Sequence, residues 1–184
     1  LPIGWVDSYG SVLNRVRDAF PDLLSEAMRL IGEDRVRRQP QPDLAGTYFA
    51  GRVTGDEWIN WEDTSLNIYN KIRAISHPGP GARTLHEGRV LIIWKAWYDL
   101  SWPKYMATPG EVVGAVRGKG AKVKTGDSTL VLESVELEGE GEAPHVPKLR
   151  VGTRFGINLL DTVIQMQRQI SEIRKAVRGQ PTHS

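Results

Sequence analysis

The stretch Ala82-Arg-Thr-Leu-His-Glu-Gly-Arg-Val-Leu-Ile-Ile-Trp-Lys-Ala-Trp97 is where the chain changes period. Upstream of it, apolar residues recur at helical spacing. Within it, Val90, Ile92, Trp94 and Ala96 alternate with Leu91, Ile93, Lys95 and Trp97, the pattern of a strand with one well-buried face. Arg83–Leu85 folds back on that strand through a hairpin turn at Glu87-Gly88. Downstream, Val112–Val116, Ala121–Thr125 and Thr129–Leu137 read as three more short strands. Their separators, Gly118-Lys119-Gly120 and Gly126-Asp127-Ser128, are both good turn chemistry. The second half is therefore a meander of short strands that forms a small sheet or barrel-like element.

Upstream lie helices. Asp7 or Ser8 can cap a helix whose apolar positions Val12, Leu13, Val16, Phe20, Leu23, Leu24, Ala27, Met28 and Ile31 follow the helical period. Pro21 predicts a kink or two successive helices, and Gly32 closes the run. Residues 35–44 read as an exposed connector. An amphipathic helix must cover something, yet segment 1–34 offers it no strand, which points to structure beyond this segment. Asp63 and Thr64 cap a second helix through Leu66, Ile68, Tyr69, Ile72 and Ala74, ended by His77-Pro78-Gly79-Pro80-Gly81. Residues 138–142 form an acidic solvated loop. A last amphipathic helix runs from about Leu159 to Val177, with Leu160, Val163, Ile164, Gln167, Ile170 and Ile173 near one stripe. It is expected to pack on the β-rich module, with pairing in an oligomer as the other option. The order is that of an α+β fold.

Composition narrows the functional classes. The 184 residues carry 24 Lys or Arg against 22 Asp or Glu, and no cysteine. That is a globular balance without disulfides, thiolate metal sites or a cysteine nucleophile. The four histidines, His77, His86, His145 and His183, lack metal-ligand spacing, so no metal is expected. No apolar run approaches the roughly 20 residues that span a bilayer, and a cytoplasmic protein without membrane contact is expected. The chain begins with Leu1 rather than Met, which reads as processing or as part of a longer protein.

Nucleic-acid binding finds little support in a count. Residues 107–150 hold six Lys or Arg and seven Asp or Glu, which is no electrostatic funnel for a phosphate backbone. Arg117, Lys119, Lys122 and Lys124 cluster locally, as a solvated strand edge does. The denser stretch is 46–82, where Tyr48, Phe49, Trp58 and Trp61 mingle with Arg52, Asn60, Asn67, Asn70 and Arg73. Rings, amides and guanidinium groups suit recognition of a nucleoside diphosphate. The same residues equally suit a core of Trp58, Trp61 and Tyr69 with polar caps. Asn70 and Arg73, three apart on a helix, can project to one side.

A resemblance favours the first of these. Gly46-Thr-Tyr-Phe49, Gly51-Arg52, Asp56-Glu57, Ile59-Asn60-Trp61, Ile68-Tyr69-Asn70, Ile72-Arg73-Ala74, His77-Pro78 and Pro80-Gly81-Ala82 resemble the formyltransferases that use 10-formyltetrahydrofolate. Asn70 to Ala82 is most similar to the sugar N-formyltransferases, which formylate the amine of a nucleotide-linked 4-amino-4,6-dideoxy sugar. The likeness continues through Arg89–Ala96, Pro109-Gly110, Thr125-Gly126-Asp127 and Val131–Val135. It implies that residues 1–82 end a Rossmann-like catalytic domain, that 83–158 form the small C-terminal module, and that 159–184 are a terminal helix and tail. The family's catalytic Asn, its His in an Asn-x-His-Pro-Ser type motif and its Asp have no counterpart here, so no catalytic residue is assigned.

Tyr48, Phe49, Arg52, Asn60, Asn70 and Arg73 are the candidate contacts to the nucleotide or sugar. The resemblance further implies 10-formyltetrahydrofolate as cofactor, a nucleotide-linked amino sugar as partner, no nucleic acid, and a homodimer through the C-terminal module. The alternatives are a methionyl-tRNA formyltransferase, which wants a basic barrel, and a non-catalytic sugar-nucleotide-binding or oligomerisation module.

Overall fold

The computed structural model describes residues 1–40, 48, 50–99, 101–141, 143–156 and 159–178. Helix α1 (Tyr9–Gly32) opens at Ser8, whose hydroxyl accepts from the Ser11 N–H while the Ser11 hydroxyl accepts from the Ser8 N–H. Two orphan amides are thus satisfied reciprocally. The helix then continues through Pro21 as one element, not as the two successive helices that were one of the two expectations. Proline removes one donor and crowds the carbonyl of the preceding turn, and the flanking turns hold without that bond. The left-handed residue after the helix is Asp34, at φ 53°, rather than Gly32. No residue of α1 is buried, and Phe20, Leu23, Met28 and Ile31 are each about three-fifths or more exposed. Its first turns lie against α2, with Val12 and Leu13 half-buried, but from Val16 onward its apolar face has no cover among the described residues.

Helix α2 (Ser65–Ile75) is capped by Thr64, whose hydroxyl accepts from the Asn67 N–H. It buries Ile68, Tyr69, Ile72 and Ile75 against a five-stranded antiparallel sheet. The strands are β1 (Ala82–His86), β2 (Arg89–Trp97), β3 (Val112–Val116), β4 (Gly120–Lys124) and β5 (Thr129–Leu137), in the order β1-β2-β5-β4-β3. The β1–β2 hairpin turns on Glu87 and Gly88, both at positive φ (51° and 77°), which suits the twist of a two-residue hairpin.

The two edges do not stay open. On one side, Val112 N–H donates to Thr153 O (2.8 Å) and Phe155 N–H to Gly110 O (2.9 Å). On the other, Gly156 N–H donates to Leu85 O (2.9 Å). Segment 152–156 therefore links β3 to β1 and closes the sheet into a barrel, which removes the exposed edge that invites pairing.

Strand β2 departs from simple alternation. Its pairing with β5 shifts between Ile93 and Lys95 and again before Ala96. Leu91 and Ile93 face the interior before the bulge, and Ala96 after it. A bulge turns the strand over, so the expected single buried face is two half-faces.

The core joins both halves. Trp61, Ile68, Tyr69, Ile72 and Ile75 from α2 and its approach share one cluster with Ile93, Val123, Leu130, Leu132 and Phe155 from the barrel. The boundary expected at 82/83 thus runs through that cluster. Trp61 stacks on Phe155 at 5.5 Å and donates its indole N–H to Thr84 Oγ1 at 2.9 Å, all buried.

A second lock sits at the α2 N-terminus. Asp127 Oδ1, on the β4–β5 turn, accepts from Ser65 N–H (2.7 Å) and Ser65 Oγ (3.0 Å). Gly126 admits this approach, because a Cβ there would lie 2.0 Å from Glu62 O.

Helix α3 (Leu159–Arg178) does not pack on the barrel as expected. All its described side chains are exposed, Val163, Ile170 and Ile173 among them. The polar residues that flank its apolar stripe leave it amphipathic, but no element reaches it among the described residues. No described helix is long and apolar enough to cross a membrane.

Candidate functional site

The residues singled out in 46–82 fall in different places. Tyr48 and Arg52 are exposed on the approach to β1, and Phe49 lies outside the described residues. Asn60 turns its side-chain oxygen back to accept from the Glu62 N–H (3.1 Å). Among the described candidates, only Asn70 and Arg73 are brought together, as their helical spacing predicts.

The Arg73 Nε donates to Asn70 Oδ1 (2.9 Å), while its Nη1 donates to the carbonyls of Gly4 (3.2 Å) and Asp7 (3.0 Å). Tyr69 adds a hydroxyl bond to Trp5 O (2.9 Å) and a ring stack on Trp5 at 5.4 Å. These bonds clamp the N-terminal segment across α2. Beside the clamp is a cavity of about 550 Å³, with Tyr69, Arg73, Trp94, Trp97, Lys95 and Glu133 on its walls. Its charges are already engaged, because Lys95 pairs with Glu133 at 3.1 Å and Arg73 faces the two carbonyls.

Charge on the barrel is unevenly committed. Glu111 pairs with Arg154, Glu133 with Lys95, Glu138 with Arg83 and Glu140 with Arg89. Glu136 accepts the Trp94 indole N–H (2.8 Å), and Asp127 caps α2. Glu138 and Glu140 of the loop expected to be solvated are thus ion-paired. The buried Lys124 ammonium is held by the Thr125 carbonyl. Arg117, Lys119 and Lys122 form no ion pair among the described residues. A tally along the sequence hides this, because it cannot show which carboxylates are already neutralised.

Those lysines meet aromatic rings. Lys122 pairs across the sheet with Val131, and Val131 with Trp97, so the three share one row. Val131 is fully buried yet stands outside the interior cluster, which marks this as the barrel's outer face under a cover. Trp102 meets Trp97 edge to face at 4.8 Å and 85°. Lys119 Nζ lies 3.5 Å from the Trp97 ring centroid, and Lys122 Nζ lies 4.5 Å from Trp102 and 5.5 Å from Tyr105. Asp99 is the acid nearby. The Ser101 hydroxyl and then its N–H hold that carboxyl below the ordinary range, and Lys119 adds to the effect. Sequence reading noted the lysines as a strand edge and missed Trp102 and Tyr105. The available signal was the run Trp97-Tyr98-Asp99-Leu100-Ser101-Trp102-Pro103-Lys104-Tyr105, dense in aromatic residues past the strand end.

Residues 53–145, half of the chain, match the model for the formyl transferase C-terminal domain. The chain belongs to this family. It is 33% identical over 160 residues to the methionyl-tRNA formyltransferase of Symbiobacterium thermophilum, covering 84% of this chain and 48% of that enzyme. It is 38% identical over 121 residues to that of Carboxydothermus hydrogenoformans, covering 65% and 37%. With that of Geobacillus thermodenitrificans it shares 30% over 168 residues, covering 86% and 51%. The chain thus spans about half the length of the curated relatives it matches, or less.

Among solved structures, a variant of HypX from Aquifex aeolicus shares the fold. It has a TM-score of 0.56 and 18% identity, over 78% of this chain and 25% of that one. The formyltransferase resemblance stands. The names of the relatives run against the expected sugar acceptor and against the expectation of no nucleic-acid partner.

Proposed function

We propose that this chain is the C-terminal half of a formyltransferase that acts on the amino group of an aminoacyl-tRNA, with the closed barrel as its tRNA-facing module. The observation that carries this reading is the likeness to enzymes named methionyl-tRNA formyltransferase along more than four-fifths of the chain. The barrel's charge supports it. Glu111, Glu133, Glu138 and Glu140 are ion-paired, while Arg117, Lys119 and Lys122 form no ion pair among the described residues and keep their charge for an outside partner, and phosphate neutralisation supplies most of the affinity for a nucleic acid.

In that reaction an amine attacks a formyl carbon, which needs a base and donors for the oxyanion. 10-Formyltetrahydrofolate supplies the formyl group when bound. The Arg73 cavity does not fit it, because its guanidinium and its carboxylate are both engaged within the protein. We therefore assign the folate site and the catalytic groups to the half that this chain does not contain.

The exposed apolar face of α1 from Val16 onward is assigned to the same half. Asn70 and Arg73 act by positioning the N-terminal segment that leads there. Tyr48, Phe49, Arg52 and Asn60 are retained as proposed contacts to the acceptor.

Competition tests the proposal. The chain, added in excess to the active Symbiobacterium thermophilum enzyme, should inhibit competitively against methionyl-tRNA and leave the folate KM unchanged. Full activity at a large excess of chain over tRNA contradicts it.

A further inference from the structure

We propose that Trp102 and Tyr105, with Lys119 and Lys122, form a stacking step for an unpaired nucleotide of the RNA acceptor. This rests on the tRNA reading above and says where on the barrel a single strand lies.

Three observations carry it. The rings have firm neighbours, because Val131, in the row between Lys122 and Trp97, is fully buried and Trp97 braces Trp102 edge to face. Yet Trp97, Trp102 and Tyr105 are only half-buried, so ring surface remains within reach of solvent. Finally, the groups over the ring faces are ammoniums, and none of them is ion-paired among the described residues. A ring serving only as core has neighbours of its own kind on both faces.

The geometry also suggests an exchange. An exposed cation over a ring is held more weakly than a base stacked on it. A base can therefore take the face of Trp102 while Lys122 swings to the adjoining phosphate. A-form duplex hides its base faces, so only an unpaired nucleotide can enter. Asp99, ionised beside Lys119, weakens the local positive field, so stacking carries more of the binding here than charge does. Two lysines on a single strand set a salt slope of about −1.4 in log K against log salt.

The test uses the full chain, a fluorescein-labelled single-stranded RNA 10-mer, the same sequence as a duplex, and an unlabelled tRNA as competitor. Trp102→Ala should weaken single-strand binding about 5- to 100-fold, while Trp102→Phe, which keeps a ring, stays within about threefold of wild type. Lys122→Gln should lower the salt slope by about 0.7. Lys148→Gln, an equal charge change elsewhere, should change neither. Melting curves check that Trp102→Ala is folded, and the Phe and Gln variants decide the matter if it is not.

Equal binding by wild type, Trp102→Ala and Lys122→Gln overturns the stacking step and leaves the tRNA reading intact. Duplex bound as tightly as single strand also overturns it. If the wild-type chain binds neither tRNA nor the 10-mer at low salt, the tRNA reading fails and the step fails with it.

Discussion

Asp127→Ala should loosen the joint between α2 and the barrel. In the native protein its carboxylate accepts from the Ser65 N–H at 2.7 Å and the Ser65 hydroxyl at 3.0 Å. Ser65 itself is fully buried, and its hydroxyl lies 2.6 Å from Thr125 Oγ1. Truncation leaves the first amide of α2 without a partner in a place water reaches poorly. A charge-assisted bond is worth about 1.5–3 kcal/mol, but Asp127 is exposed on its outer side. Screening brings the expected loss for both bonds to about 2–4 kcal/mol. For a protein of this size that corresponds to a fall of about 4–16 °C in Tm.

The same contact has a pH signature. Burial pushes the Asp127 carboxyl up, but the bonds from Ser65 N–H and hydroxyl outweigh it and hold the group below its ordinary value. A carboxyl depressed on folding stabilises above its unfolded pKa, and that stabilisation is lost as pH falls through the folded value. The gap in Tm between wild type and Asp127→Asn should therefore be open at pH 7 and close toward pH 2–3. Thermal melts followed by far-UV circular dichroism at the two pH values measure it. An Asp127→Ala protein that melts within about 2 °C of wild type at pH 7 would refute the lock.

Other outcomes follow from the same structure. Gly120→Ala places a Cβ 1.9 Å from Leu132 O at a residue with φ 139°, so it should cost at least about 3 kcal/mol, read as insolubility or early melting. Trp61→Phe keeps the stack on Phe155 but leaves Thr84 Oγ1 without its indole donor; a loss of about 1–2 kcal/mol in urea unfolding is expected. Pro21→Ala restores a donor inside α1 and should raise ellipticity at 222 nm and stability by up to about 3 kcal/mol.

Much of the barrel was legible because local chemistry decides it. Glu87-Gly88 allows one tight hairpin, Gly118–Gly120 and Gly126–Ser128 allow two more turns, and the strands between them alternate. What was not legible depends on partners distant in sequence. Val90 to Trp97 is apolar on both sides, so nothing in it announces the bulge at Trp94 and Lys95; the offset appears only against β5. Segment 152–156 has no strand-like run of its own, and its role in closing the barrel comes from two edges far from it in the chain.

At the site the limitation was similar. Spacing on α2 sufficed to pair Asn70 with Arg73, but not to show that the guanidinium faces the carbonyls of Gly4 and Asp7. A balanced charge count argued against RNA. That count sets Glu138 and Glu140 against bases of the same stretch, whereas they pair with Arg83 and Arg89 outside it, and it cannot show that Lys119 and Lys122 lie over aromatic rings instead of in ion pairs.

The most direct test of the central claim is equilibrium binding of this chain to a tRNA and, separately, to a nucleotide-linked amino sugar. A tRNA-facing module should bind the tRNA with log K falling linearly against log salt, and should show no saturable binding of the sugar nucleotide. Saturable binding of the sugar nucleotide, with no tRNA binding even at low salt, would contradict the account.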